Sequence, residues 1–274
     1  MHLDKESFFI SLFNNRFIGD DGAFIDGYVY SADGFYEDVH FKREWMNYWQ
    51  IAKKAMLVNI SDAIAMNAKP KYALVTIAMP KDIASKQMRQ IAKGLQETAK
   101  EYGCQIVGGD TVASNKLDIS ITIISTTKKP IGRKPLKKGY LLAYTGELGS
   151  VGKDLRKLLR GMRVSKYSKF LEPKLRAQFM QRAARKIKVC MDISDGLFDD
   201  LGKLAALNSV GFEFFEKIPK RVGCSGEEYE LLFAFDPRDR KALEIIAKKT
   251  RTPITIFAKV ANRAYKNRCK PNHF

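Results

Sequence analysis

Cysteine and histidine are scarce in this chain of 274 residues. The four cysteines, Cys104, Cys190, Cys224 and Cys269, form no Cys-x-x-Cys pair, and His2, His40 and His273 are too scattered for a metal triad. A zinc site of ordinary spacing is therefore excluded, and a reduced, intracellular protein is the expectation. No apolar run approaches the ~20 residues that cross a bilayer. Met1 to Asn14 carries Asp4 and Glu6 before a short apolar run and does not read as a secretion signal. Together these absences predict a cytoplasmic protein with no membrane partner. No Ser-His-Asp or Cys-His arrangement stands out, so covalent catalysis is not expected.

Acids are the minority charge: 30 Asp and Glu face 48 Lys and Arg, a net charge of +18 with a pI near 9.7. Such an excess suits polyanions, whether nucleic acid or phosphate-rich small molecules. From Lys153 to Lys188 there are 13 basic residues against Asp154 and Glu172. A solvated basic face and a functional patch are both open readings of that stretch. With 45% hydrophobic residues the chain can bury a large core, as two domains or one large one.

The pattern along the chain is mixed. A short opening helix precedes the turn Gly19-Asp20-Asp21-Gly22. Strands at 23–25 and 28–31 flank Asp26-Gly27, a hairpin signal. An apolar helix runs from near Trp49 to Asn67, where Lys69-Pro70 stops it. Then come a strand at 72–79, an amphipathic helix at 85–102 ended by Gly103, a short strand at 104–107 running into Gly108-Gly109-Asp110-Thr111, and an alternating strand at 117–123. The Pro- and Lys-rich stretch 128–138 reads as a linker, which divides the chain into domains 1–130 and 131–274. The second half adds strands at 140–145, 188–191, 210–215, 229–235 and 254–260, with helices at 197–207 and 238–249. The expected fold is α/β (α+β), two mixed α/β domains. Ser61-Asp62-Ala63-Ile64 and Ser194-Asp195-Gly196-Leu197 look alike, a weak sign that the halves are related.

The recurring theme is an aspartate where an apolar segment runs out: Asp20, Asp21, Asp33, Asp62, Asp110, Asp192 and Asp195. Asp62 is the sharpest case. On a 3.6-residue period it shares a side with Ala55, Val58, Asn59, Ala63 and Met66, where a core residue belongs. A buried carboxylate must be protonated, paired or bound to a metal, and no Lys or Arg lies one turn away. A capping aspartate at a helix break near Ser61 is the plainer alternative. Hard cations such as Mg²⁺ take oxygen ligands and share their shells with phosphates, so converging aspartates would suit several Mg²⁺ ions with a polyphosphate. Gly146-x-x-Gly149-x-x-Gly152-Lys153 follows a strand but is no P-loop: position 147 is Glu, and Lys153 precedes Asp154 rather than Ser or Thr.

In order, Gly19-Asp20-Asp21, Ser31-Ala32-Asp33, Val39-His40-Phe41, the run Lys54 to Met66, Gly108-Gly109-Asp110-Thr111, Gly132-Arg133, Asp192-Ile193-Ser194-Asp195-Gly196-Leu197 and Gly226-Glu227-Glu228-Tyr229-Glu230-Leu231 span nearly the whole chain. This set resembles the thiamine-monophosphate kinase family, within the superfamily of aminoimidazole-ribonucleotide and selenophosphate synthetases. The resemblance implies two α/β domains, an N-terminal sheet that pairs two copies into a homodimer, and an active site in the interdomain cleft. It implies ATP-dependent phosphorylation of thiamine monophosphate to thiamine diphosphate with several Mg²⁺ ions. By resemblance, Asp21, Ser31, Ala32, Asp33, Asp62, Asp110, Asp192 and Asp195 correspond to metal ligands, Gly109, Asp110, Arg133 and Ser194 to ATP contacts, and His40 and Glu227 to substrate contacts.

Three departures from the family pattern bear on the substrate. Ala32 stands where Thr is usual, so a side-chain ligand is lost unless the backbone carbonyl serves. The segment between Pro219 and Gly226 is short. The aromatic residue that covers the thiamine ring has only Tyr265 and Phe274 as candidates. An aminoimidazole-ribonucleotide synthetase is the enzymatic alternative. A non-catalytic nucleic-acid-binding protein is the alternative from another class, though it leaves the ordered aspartates without a role.

Overall fold

The computed structural model describes residues 5–13 and 15–269. Its central element is helix α2 (Tyr48–Ala65), preceded by α1 (Lys5–Ser11). The Asn47 side chain accepts from the Gln50 amide at 2.8 Å, and the Gln50 side chain accepts from the Asn47 amide at 3.0 Å, a capping box that starts α2. At its other end Asn67 turns the backbone into the left-handed region at φ 55°. Nearly every residue of α2 after Gln50 is buried. A helix apolar on all sides lies inside a protein rather than on it. Met56 and Ile60, both fully buried, contribute about 1.5–3 kcal/mol each by leaving water.

One side of α2 packs on a five-stranded sheet of order β1-β2-β5-β3-β4. Strand β1 (Ala23–Ile25) and β2 (Tyr28–Tyr36) form the hairpin expected at Asp26-Gly27, whose positive φ values of 49° and 85° suit a tight two-residue turn. Strands β3 (Lys69–Pro80), β4 (Gln105–Ser114) and β5 (Asp118–Thr126) complete the sheet, with β3 and β4 parallel across α3 (Ser85–Glu101). The sequence pattern ends β2 at Ser31 and β4 at Val107, before Asp33 and Gly108-Gly109-Asp110. Instead, β2 runs through Asp33 to Tyr36, and β4 runs through Asp110 to Ser114. The glycines admit a close approach. A Cβ on Gly109, whose φ is 146°, would lie 1.7 Å from the Val75 carbonyl oxygen, so glycine lets β4 press against β3.

Residues 127–140 then pass to a second sheet, of order β7-β9-β6-β10-β8. Its strands are β6 (Leu141–Thr145), β7 (Ile187–Asp192), β8 (Gly211–Phe214), β9 (Leu231–Phe235) and β10 (Ile254–Ala261). Helices α4 (Ser150–Leu158), α5 (Ala177–Ala183), α6 (Leu197–Asn208), α7 (Lys220–Gly223) and α8 (Arg240–Lys249) belong to this half. The edge strand β7 lies against α2, so the same helix serves both sheets.

Cys224 and Cys269 form a disulfide, which corrects the expectation of four reduced thiols. They stand 45 residues apart in sequence, and only the fold brings the 262–269 segment back beside α7. Cys104 and Cys190 are free and buried. No helix among the described residues is long and apolar enough to cross a membrane.

Candidate active site

Three of the sequence-picked aspartates meet where α2 passes the end of β7. One carboxylate oxygen each from Asp21, Asp62 and Asp192 lies within 4.8 Å of the other two. Asp21 comes from the loop before β1, Asp62 from the last turn of α2, and Asp192 from the carboxyl end of β7. Asp62 is buried and lies on the helix's core side, as its spacing predicts. It is not a capping aspartate, because α2 continues unbroken past it.

The surroundings fix these acids closely. Ser61 Oγ donates to Asp192 Oδ2 at 2.7 Å. Arg133 Nε donates to Asp21 Oδ1 at 3.1 Å, and its Nη2 makes a second bond to the same oxygen. The Arg133 amide donates to Asp20 Oδ1 at 2.6 Å. Asp20 thus holds the 132–133 turn rather than joining the cluster. Gly132 is required there, since a Cβ would come within 2.6 Å of that carboxylate. Asn59 accepts the Asp33 amide at 2.7 Å and donates to the Ala55 carbonyl at 2.9 Å, tying β2 to α2 beside the cluster.

Electrostatically the cluster is short of positive charge. Burial, then the charges of Asp33, Asp192 and Asp21, pushes the Asp62 carboxyl well above its ordinary range. Burial and the charge of Asp21 push Asp192 up to about 8, although the Ser61 hydrogen bond opposes this. Asp21 is raised by burial against the pull of Arg133, and its Oδ2 is buried with no hydrogen-bond partner among the described residues. Buried carboxylates that repel one another and leave lone pairs unused fit a hard cation, which would satisfy both charge and oxygen valence. Asp21, Asp62 and Asp192 could hold such an ion.

The remaining sequence-picked residues lie at varying distances from this point. Ser31 is buried on β2, its hydroxyl without a hydrogen-bond partner among the described residues, and Ala32 is exposed. Asp195 pairs with Lys203 of α6. Next to it Asp200, fully buried and 3.7 Å from Lys203, is held well above its ordinary range by burial. The Ser194 carbonyl accepts the Glu227 amide at 2.6 Å. His40 Nδ1 accepts the Tyr36 amide at 3.0 Å, and its ring sits 5.6 Å from that of Phe35. Tyr265 packs its ring on Phe212 and donates to the Phe198 carbonyl at 2.8 Å, and Phe274 lies outside the described residues, as do His2 and His273.

Asp110 is not gathered in. Asp33, Ile121, Val75 and Gly109 face one another in register across β2, β5, β3 and β4. Three strand spacings put Gly109 about 14 Å from Asp33. Asp110 lies next to Gly109, exposed on the edge strand.

The Gly-rich turn before α4 holds an anion, but the anion is the protein's own. The amides of Gly149 and Val151 donate to Glu228 Oε1 at 2.7 and 3.3 Å, and the Gly152 amide donates to Ser225 Oγ at 2.8 Å. Lys169 donates to Glu228 at 2.9 Å and lies 3.0 Å from Glu230, which also takes both ends of Arg176 at 2.7 Å. Two cations of the basic 153–188 stretch are therefore part of a largely buried ionic network rather than a solvated face.

Residues 19–127 match the family model of AIR synthase related protein, N-terminal domain. The chain is 31% identical over 239 residues to the thiamine-monophosphate kinase of Leptospira interrogans, covering 78% of this chain and 77% of that one. It is 29% identical over 256 residues to the thiamine-monophosphate kinase of Aquifex aeolicus, covering 82% of each. The fold matches a solved AaThiL complex with AMPPCP and TMP at a TM-score of 0.83 and 24% identity, over 96% of this chain and 92% of that one.

Proposed function

Because the chain belongs to the thiamine-monophosphate kinase family, we infer that it transfers the γ-phosphoryl group of ATP to the phosphate of thiamine monophosphate, giving thiamine diphosphate. The observation that carries this reading is the convergence of Asp21, Asp62 and Asp192 beside Arg133, where α2 meets β7. The acceptor is a phosphate oxygen already anionic near neutral pH, so no strong base is needed. The barrier lies in bringing two polyanions together in line, and catalysis is mostly positioning and charge neutralisation.

Asp21, Asp62 and Asp192 are the core ligands for Mg²⁺, with Ser31, Asp33 and Asp195 around them and the Ala32 carbonyl in place of the usual Thr side chain. When bound, Mg²⁺ neutralises phosphate charge and fixes the orientation of the oxygens. The chain supplies a frame that sets these carboxylates before substrate arrives, through Ser61, Asn59 and Asp20. Arg133 and Ser194 serve ATP, and His40 and Glu227 serve the thiamine moiety. The division into 1–130 and 131–274 is the domain boundary we adopt.

Two copies complete the site. Asp110 and Gly109 lie too far from their own Asp33 to share its ion, whereas a second chain docked on the open sheet face can bring them in. Tyr28, Tyr30, Tyr36, Tyr72, Leu74 and Val112 expose an apolar surface on that sheet, as a homodimer interface requires. A cytoplasmic setting follows from the need for ATP, and the Cys224–Cys269 bond would face a reducing pool there. Glu228 and Glu230 occupy Lys169 and Arg176, two cations of the basic 153–188 stretch, and the clustered aspartates would repel a nucleic-acid backbone, which favours a small phosphate substrate.

The test is conversion of thiamine monophosphate to thiamine diphosphate by the purified protein with ATP and MgCl₂, read by product separation. Product that vanishes with EDTA is the expected result. ATP binding without product would move the assignment to a related synthetase, and no ATP binding would overturn it.

A further inference from the structure

Lys54 is a lysine with no access to solvent. It lies on α2 two turns before Asp62 and is fully buried. Its Nζ sits 4.1 Å from the ring centre of Phe170 and 5.4 Å from that of Phe35. Among the described residues one carboxylate reaches it: Glu227 Oε2, at 3.0 Å, from 173 residues away in the other half of the chain. Burying an ammonium is costly unless it is paired, and the two ring faces and the carboxylate together offset that cost.

Glu227 is held in an unusual way. Its backbone lies in the left-handed region at φ 55°, which a non-glycine residue adopts at a cost, and its amide is anchored on Ser194. Its Oε1 is buried with no hydrogen-bond partner among the described residues. The Glu227 side chain is 22% exposed, so the carboxylate lies at the border of solvent while that Oε1 is left without a partner among the described residues. Here one oxygen is spent on Lys54 and the other is kept as an acceptor. Phe35, against which Lys54 packs, also touches the ring of His40, so the pair and His40 form one continuous patch.

We propose that Lys54 is a positioning residue for thiamine recognition: it orients the Glu227 carboxylate so that Oε1 accepts a hydrogen bond from a donor on the substrate's heterocyclic part. The proposal rests on the kinase reading above and deepens it. Lys54 cannot touch a solute and acts only through Glu227. Because the pair crosses from α2 to the 225–230 loop, it also sets that loop against the metal site.

The experiment is steady-state kinetics on Lys54→Met, Lys54→Gln, Glu227→Gln and the double variant Lys54→Met/Glu227→Gln, with folding checked by circular dichroism. Lys54→Met, an apolar replacement of similar length, raises KM for thiamine monophosphate roughly tenfold or more, the scale of losing a charge-assisted hydrogen bond, and leaves KM for ATP within about twofold. Glu227→Gln does the same, and the double variant is no worse than Glu227→Gln alone. Lys54→Gln keeps a donor for Glu227, gives a smaller rise, and stands in should Lys54→Met fail to fold. An unchanged KM for thiamine monophosphate in a folded Lys54 variant, or effects that multiply in the double variant, would overturn the proposal. Failure of the unaltered protein to phosphorylate thiamine monophosphate would instead remove the kinase reading on which it rests.

Discussion

Ser61 Oγ lies 2.7 Å from Asp192 Oδ2, and this hydrogen bond joins the last turns of α2 to the end of β7. It links the residue next to Asp62 to another aspartate of the same cluster. The donor comes from one half of the chain and the acceptor from the other, so the acid cluster exists only when the halves are docked.

Removing that donor tests the link. Ser61→Ala leaves Asp192 with less stabilisation of its charged form, so the Mg²⁺ concentration for half-maximal activity rises. Below about pH 8, where the metal-free Asp192 keeps its proton, the fold loses about 0.5–1.5 kcal/mol, the range for a hydrogen bond between neutral groups. A magnesium titration of activity and a urea melt measure the two effects separately.

The pH dependence has a defined sign. Asp192 is raised to about 8 in the metal-free fold, against about 3.9 for an unfolded aspartate. Between those values the unfolded chain gives up a proton that the folded chain keeps, so stability falls as pH rises from about 4 to about 8. Asp21 and Asp62, shifted in the same direction, add to the trend. MgCl₂ therefore raises Tm more at pH 8 than at pH 6. Equal shifts at both pH values would speak against these carboxylates as the ligands.

Asp62→Asn is expected to abolish turnover without harming the fold, because it removes a buried charge from a crowded acid cluster. The metal-free Tm stays level or rises, and the Mg²⁺ effect on Tm shrinks. Near-normal turnover would remove Asp62 from the site.

Asp110→Asn is expected to be inactive as well, but for a defect supplied by the other chain. Mixing the Asp62→Asn and Asp110→Asn proteins under exchange conditions then restores about a quarter of the unaltered activity, since half of the dimers are mixed and each carries one intact site. A site built within one chain would show no recovery.

Glu228→Ala removes the carboxylate that caps α4 and pairs with Lys169. Breaking one side of a buried pair costs about 3–5 kcal/mol. A urea melt with an unchanged slope and a lower midpoint is the expected readout.

Much of this was readable in advance, for physical reasons. An acid on the core side of an apolar helix has few options, which is why Asp62 stands out, and Asp192 follows a plain apolar strand. The elements of the second half fell close to their expected places because alternation and glycine breaks were clear. Asp110 fell beyond the expected strand because Gly108-Gly109 breaks the apolar pattern at Val107, while the parallel register that makes it part of β4 depends on β3, some thirty residues earlier. Lys54 was passed over because nothing in the pair Lys53-Lys54 marks which of the two turns inward. On a helix, neighbours point about 100° apart, so Lys53 reaches Glu172 at the surface while Lys54 turns inward to Glu227. The Cys224–Cys269 pairing and the Glu228 cap join segments whose meeting no local pattern encodes.

Helix α2 also acts as a gauge of length. Lys54 and Asp62 are eight residues apart, and at 1.5 Å per residue the helix sets them about 12 Å from each other along its axis. One mark holds the Glu227 carboxylate, and the other carries an acid of the Asp21, Asp62 and Asp192 cluster. Deleting one residue between them turns the two marks about 100° out of phase, whereas extending either side chain alters the reading by a single bond. On the kinase reading proposed above, the distance from the substrate's ring to its phosphate is thus set by the pitch of one buried helix.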